Sequence, residues 1–197
     1  MLSLIFDTET TGLPSKTLPP DHPEQARVMQ LAMVLMDDDK EVGCFYSRFM
    51  PDEWPTVHPK AYEAHGLTVG ACAQCGIEQR IGLELYNQWV DIADNIVAHN
   101  YKFDTQLIDI EAGVLVIERL NHKPMFCTME ILTPVMKLTR ANGAPKWPNL
   151  AEALDYCYPG TKIEKAHDAL GDVRATAKVW RHIVKNNVGF NYNLNLA

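Results

Sequence analysis

The chain has 197 residues, with 25 Asp and Glu against 18 Lys and Arg and a formal net charge of −7. Its 47% hydrophobic and 22% charged content excludes a disordered or collagen-like polymer, and this length suits one domain able to bury an ordinary core. No apolar run nears the roughly 20 residues a bilayer-spanning helix needs, and the apolar N-terminus meets Asp7 without a basic leader, so neither a membrane segment nor a signal peptide is expected.

Residues 2–6 form a short apolar run and predict a buried strand. Gly12, Pro14, Pro19, Pro20 and Pro23 then mark a loop. Residues 27–36 are nearly all apolar, the polar turn 37–40 follows, and 42–49 continues as a second strand, which together predict an antiparallel hairpin. After Pro59 the pattern turns helical. A short helix is expected over 60–65, and 78–91 places Ile81, Leu85, Trp89 and Ile92 on one amphipathic stripe. A strand over 96–98, a helix over 103–112, a strand around 125–127 and a helix ending near Pro134 follow. Asn149 is positioned to cap a helix over 150–157, and 168–185 reads as a longer helix. Early strands followed by alternating helices and short strands predict an α/β or α+β sheet domain over 1–187, with an Asn-rich tail at 188–197.

Five cysteines, Cys44, Cys72, Cys75, Cys127 and Cys157, are an odd number and point to reduced thiols in a cytoplasmic protein. Cys72 and Cys75 have the spacing of half a zinc site, but no second ligand pair accompanies them, so ordinary thiols are the expectation. The basic stretch Lys137, Arg140, Lys146 near Trp147 reads as a solvated loop, with phosphate contact as the alternative.

Three segments carry carboxylates to element boundaries. Asp7 and Glu9 are two residues apart after the first strand, so in extended chain they share a face and would repel without a cation between them. Asp104 follows the strand at 96–98 and enters a helix; ligands of open α/β sheets bind outside the carboxyl ends of strands. Asp172 lies in the opening turns of the last predicted helix, with His167 in the loop before it. Four hard oxygen ligands suit two Mg²⁺ or Mn²⁺ ions better than zinc, and such a pair stabilises both attacking and leaving oxygens in phosphoryl displacement. A neutral histidine beside them has the pKa to take a proton from water.

These segments, Phe6-Asp7-Thr8-Glu9-Thr10-Thr11-Gly12-Leu13, His99-Asn100-Tyr101-Lys102-Phe103-Asp104 and His167-Asp168-Ala169-Leu170-Gly171-Asp172, resemble the motifs of the DEDD superfamily of 3′–5′ exonucleases. Its tyrosine variant has Tyr where this chain has Asp168, so the resemblance is to the histidine variant. It implies a ribonuclease H-like fold with a five-stranded mixed sheet flanked by helices. It also implies two divalent cations held by Asp7, Glu9, Asp104 and Asp172, with His167 as general base. Thr10 and Thr11 would take the terminal 3′-hydroxyl, Leu13 would wedge against the terminal base and Phe103 would pack the scissile nucleotide. His65 would border that nucleotide's pocket or pack the loop.

The implied activity is release of nucleoside 5′-monophosphates from a nucleic-acid 3′ end, with single-stranded DNA ranked ahead of RNA. The alternatives are an RNA exonuclease or oligoribonuclease and a catalytically silent nucleic-acid-binding or interaction module on the same fold. A polymerase or another replication or repair protein stays open as a partner, although no obvious partner-binding tail follows the last helix.

Overall fold

The computed structural model describes residues 1–120, 122–164 and 166–189. At its centre β1 (Leu2–Thr10) pairs antiparallel with β2 (Val28–Asp37), which pairs antiparallel with β3 (Lys40–Arg48). On its other side β1 pairs parallel with β4 (Asn95–Ala98), and β4 parallel with β5 (Met125–Cys127). The sheet is therefore mixed and five-stranded, in the order β3-β2-β1-β4-β5, as the resemblance implied. Its helices are α1 (Pro59–His65), α2 (Val69–Cys75), α3 (Gln79–Ile92), α4 (Tyr101–Leu115), α5 (Thr128–Met136), α6 (Leu150–Cys157) and α7 (Ala169–Lys185). None is long and apolar enough to cross a membrane.

Because strand side chains alternate, β1 feeds two cores. Leu4 and Phe6 pack with Leu83, Tyr86 and Leu107 under α3 and α4, whereas Ile5 packs with Leu154, Val173 and Trp180 under α6 and α7. Each such side chain stabilises the fold by about 1.5–3 kcal/mol on full burial. Trp180 keeps its polar edge satisfied, with Nε1 donating to Ser3 Oγ at 3.1 Å.

Local chemistry sets several boundaries. Asn149 and Glu152 form a reciprocal capping box at the start of α6, as its position suggested. α1 begins with Pro59 at its first position and ends at Gly66, whose φ of 69° is the left-handed conformation glycine adopts without strain.

Three expectations needed correction. β1 runs to Thr10 rather than ending at residue 6, because β2 supplies antiparallel partners as far as Glu9 opposite Gln30 and Thr10 opposite Val28. Asp7 and Glu9 therefore lie inside the strand. In α3, Ile81 and Ile92 are 52% and 57% exposed, and the buried face is Gly82, Leu83, Tyr86 and Val90. Gly82 turns that face inward: a Cβ there would lie 2.5 Å from the Phe49 ring, so only glycine permits the approach. The short helix α2 carried no periodic signal; Thr68 starts it, its Oγ1 accepting from the Ala71 N–H at 3.0 Å. Of the predicted tail, residues 190–197 lie outside the described residues.

Candidate active site

The pleat of β1 distributes the site. Asp7 and Glu9 continue the Ile5 side of the strand, towards α7, and Thr8 continues the Leu4 and Phe6 side, towards α4. Asp172, in the first turn of α7, completes the first group: one carboxylate oxygen from each of Asp7, Glu9 and Asp172 lies within 4.8 Å of the others. On the second side, β4 pairs only with Ser3 to Ile5, so the Thr8 N–H beyond it needs another acceptor. Asp104, buried in the first turn of α4, provides one. Its Oδ1 accepts from the Thr8 N–H at 3.1 Å and from Thr8 Oγ1 at 2.7 Å. The structure thus draws three of the four predicted carboxylates together and sets the fourth behind Asp7 on a separate tether.

α7 is held over this cluster by a residue that motif reading missed. Gln30 lies opposite Glu9 in the sheet register. Its Oε1 accepts from the Ala169 N–H at 3.1 Å, and its Nε2 donates to Tyr46 Oη at 2.9 Å. A buried glutamine inside an otherwise apolar strand was the available signal. His167 precedes the helix in a left-handed conformation, φ 63°, with its side chain exposed. Its N–H donates to Asp172 Oδ2 at 3.2 Å, while Asp172 Oδ1 and Asp168 Oδ1 are buried without partners among the described residues. Asp168 is a further site-lining carboxylate to which sequence reading gave no role.

Burial and mutual repulsion raise the affinity of this cluster for positive charge. Burial, then Asp104, Glu9 and Asp172, hold Asp7 well above the usual carboxylate range. Glu9 is pushed up to about 8 by burial, then by Asp172, Asp104 and Asp168. Burial lifts Asp104 to about 7 against the two Thr8 hydrogen bonds that oppose it, and raises Asp172 against the nearby His167. Buried carboxylates in this state bind protons or a cation. An orphaned oxygen on Asp172 and three converging hard donors fit a divalent cation.

Beside the carboxylates opens a groove of about 440 Å³ walled by Glu9, Thr10, Leu13, Lys60, His65 and Phe103. Leu13 projects into solvent at 85% exposure. His65 uses both ring nitrogens. The Leu67 N–H donates to Nδ1 at 2.9 Å, which leaves the proton on Nε2 to donate to Thr10 O at 3.0 Å. Burial lowers its pKa. His65 therefore shapes the groove wall as a neutral ring.

Thr11 does not reach the groove. It is buried, its Oγ1 accepts from the Arg27 N–H at 2.9 Å, and its N–H donates to Arg27 O at 2.9 Å. Behind it Arg27 pairs with fully buried Glu111, Nη2 to Oε2 at 2.8 Å and Nε to Oε1 at 3.0 Å, and Glu111 Oε1 also accepts from the Val28 N–H at 2.7 Å. No motif named this pair, which ties the Thr10 to Leu13 wall to α4.

A mixed sheet with helices on both faces and carboxylates gathered at the carboxyl end of its central strand defines a nuclease of the ribonuclease H-like class. The family model described as exonuclease, RNase_T, matches residues 4–180, so the chain belongs to this exonuclease family. No curated relative matches the sequence significantly. Among solved structures the chain is similar to Exonuclease X in complex with 5′ overhanging duplex DNA. The two share 20% identity at a TM-score of 0.64, over 93% of this chain and 92% of the other. The nuclease domain of 3′hExo, a DEDDh family member bound to rAMP, aligns at TM-score 0.70 and 12% identity over 95% and 94%. Exonuclease I of E. coli, in complex with a dA16 oligonucleotide, aligns at TM-score 0.76 and 16% identity over 97% of this chain but only 42% of its own. At these identities the structural likeness concerns the fold.

Proposed function

We propose that the protein hydrolyses the last phosphodiester at the 3′ end of a nucleic-acid strand, single-stranded DNA before RNA, releasing nucleoside 5′-monophosphates. The observation that carries this reading is the convergence of Asp7, Glu9 and Asp172 within 4.8 Å beside a groove bordered by Leu13 and Phe103. Asp7, Glu9 and Asp172 would hold one divalent cation, and Asp7 with Asp104 a second, either Mg²⁺ or Mn²⁺. Cations there supply Lewis acidity for the attacking water and the departing 3′-oxygen.

The chain's own residues do the rest. Leu13 and Phe103 hold the terminal base, which requires a frayed end, and Thr10 borders the terminal sugar. Water attacks the phosphorus, the bond to the 3′-oxygen breaks, and His167 takes the proton that the water loses. Support for this role is that His167 is exposed and that its backbone N–H bonds Asp172, which keeps the residue beside the carboxylates. Thr11 and the Arg27–Glu111 pair act behind the groove by fixing its wall. The free thiols fit a reducing cytoplasm.

The test is degradation of 5′-labelled DNA and RNA oligomers of one sequence with Mn²⁺, Mg²⁺ or EDTA. A cation-dependent ladder shortening from the 3′ end, faster on DNA, is expected. Shortening from the 5′ end, or no product with either cation, would overturn the reading, and a faster RNA ladder would reverse the substrate order.

A further inference from the structure

In an acidic chain, residues 131–151 contain no Asp or Glu and carry Lys137, Arg140 and Lys146. The structure folds the middle of this stretch into a small hairpin finger. Arg140 N–H donates to Ala144 O at 2.8 Å, Lys146 N–H to Leu138 O at 2.9 Å, and Thr139 bridges Pro145. Lys146 is spent on Glu152. Lys137 and Arg140 are exposed and have no acidic partner among the described residues. Trp147, at the finger's base, is 62% exposed.

The finger is rooted at the site's end of the sheet. His99, at the carboxyl end of β4, bonds Pro148 O through Nε2 at 3.1 Å and Thr128 Oγ1 through Nδ1 at 2.9 Å. β1, β4 and β5 run parallel, so their carboxyl ends lie together, and the finger's root at His99 follows the strand next to the one that carries Asp7 and Glu9.

An exposed tryptophan flanked by unpaired cations is the chemistry of a single strand: bases stack on the ring and phosphates meet the charges. We propose that the 137–147 finger binds the substrate strand a few nucleotides inward from the reacting 3′ end, Trp147 stacking on a base and Lys137 and Arg140 meeting phosphates. This deepens the exonuclease reading and rests on it for the identity of the strand.

The test separates the two. In the Asp7→Asn protein, intrinsic fluorescence is followed on adding a thymidine octamer or the mononucleotide. Quenching by the octamer alone, lost in Trp147→Phe, is expected. In otherwise intact protein, Trp147→Ala should raise KM for the octamer about 5- to 100-fold, leaving hydrolysis of a nitrophenyl ester of thymidine 5′-phosphate unchanged. Lys137→Ala with Arg140→Ala should reduce the slope of log affinity against log salt by about 1.4. Equal quenching by the mononucleotide, or octamer KM and salt slope at their original values in these variants, would overturn the finger. Quenching without hydrolysis of any substrate supports the finger and sinks the exonuclease reading instead.

Discussion

Two groups of carboxylate, one fully buried and one half-buried, stand within the same end of this molecule and are treated oppositely. Glu111 is fully buried, yet three donors from Arg27 and Val28 meet its oxygens. Asp7, Glu9 and Asp172 converge with no cationic side chain bonded to them among the described residues, and there one oxygen of Asp172 has no partner. The first arrangement satisfies a charge so that the backbone around it stays put. The second withholds satisfaction so that something from solution must supply it. A protein gains a binding site by leaving carboxylates incompletely paired, and the cost is carried by the fold around them.

Five changes sharpen that contrast, beginning with the largest effect. Asp7→Asn should lower turnover by about 10³-fold or more, the scale of losing a main electrostatic element. It should also hold or raise the melting temperature of cation-free protein, because it removes a repelled charge. A lower melting temperature would mean that Asp7 is structurally paired after all. His167→Ala should cost about 10²–10⁴ in kcat, as expected of a general base. An unchanged kcat would assign the proton elsewhere.

Glu111→Ala leaves Arg27 buried and unpaired, and should destabilise by about 3–5 kcal/mol, read from denaturant unfolding. Little loss would show that the two carboxylate groups do not differ as argued. The fourth change is the cation itself. Glu9, at about 8, and Asp104, at about 7, bind protons more tightly folded than unfolded. Their stabilising share is thus complete below about pH 4 and is lost as pH rises to about 8. Thermal scans should show cation-free protein weakening through this window, and saturating Mn²⁺ should restore about 5–10 °C at pH 8 and little at pH 5.

His99 opposes that slope and gives the smallest effect. Burial lowers its pKa to about 4, so the unfolded chain takes the proton first. Its stabilising share is whole above about pH 6.5 and drains as pH falls to about 4. His99→Asn should flatten this limb by on the order of 2 kcal/mol.

The clustering of Asp7, Glu9 and Asp172 was legible because each is tied to a local signal: a two-residue spacing in extended chain, or a helix start. The hairpin and the capping box at Asn149 were legible for the same reason. What escaped depends on contacts remote in sequence. Polar Thr8 and Glu9 stay in a strand only because β2 lies alongside, which residues 2–6 cannot announce. The α3 stripe was misphased because Ile81 is apolar and Gly82 is not, yet it is Gly82 that meets Phe49. Gln30 and the Arg27–Glu111 pair act through partners as far as 139 and 84 residues away, so no spacing rule points to them.

The order of the strands also fixes when the site comes into being. β1, β2 and β3 are sequential neighbours and form an antiparallel sheet from the first quarter of the chain, while β4 must insert later beside β1. Asp172 arrives only when α7, the last helix, docks across β1 and β2. Local pairings form quickly and long-range ones slowly, so during synthesis or refolding secondary structure should mature well before the chain can hold a cation. A partly made chain thereby lacks the third carboxylate: among the described helices, the one made last brings Asp172 to Asp7 and Glu9.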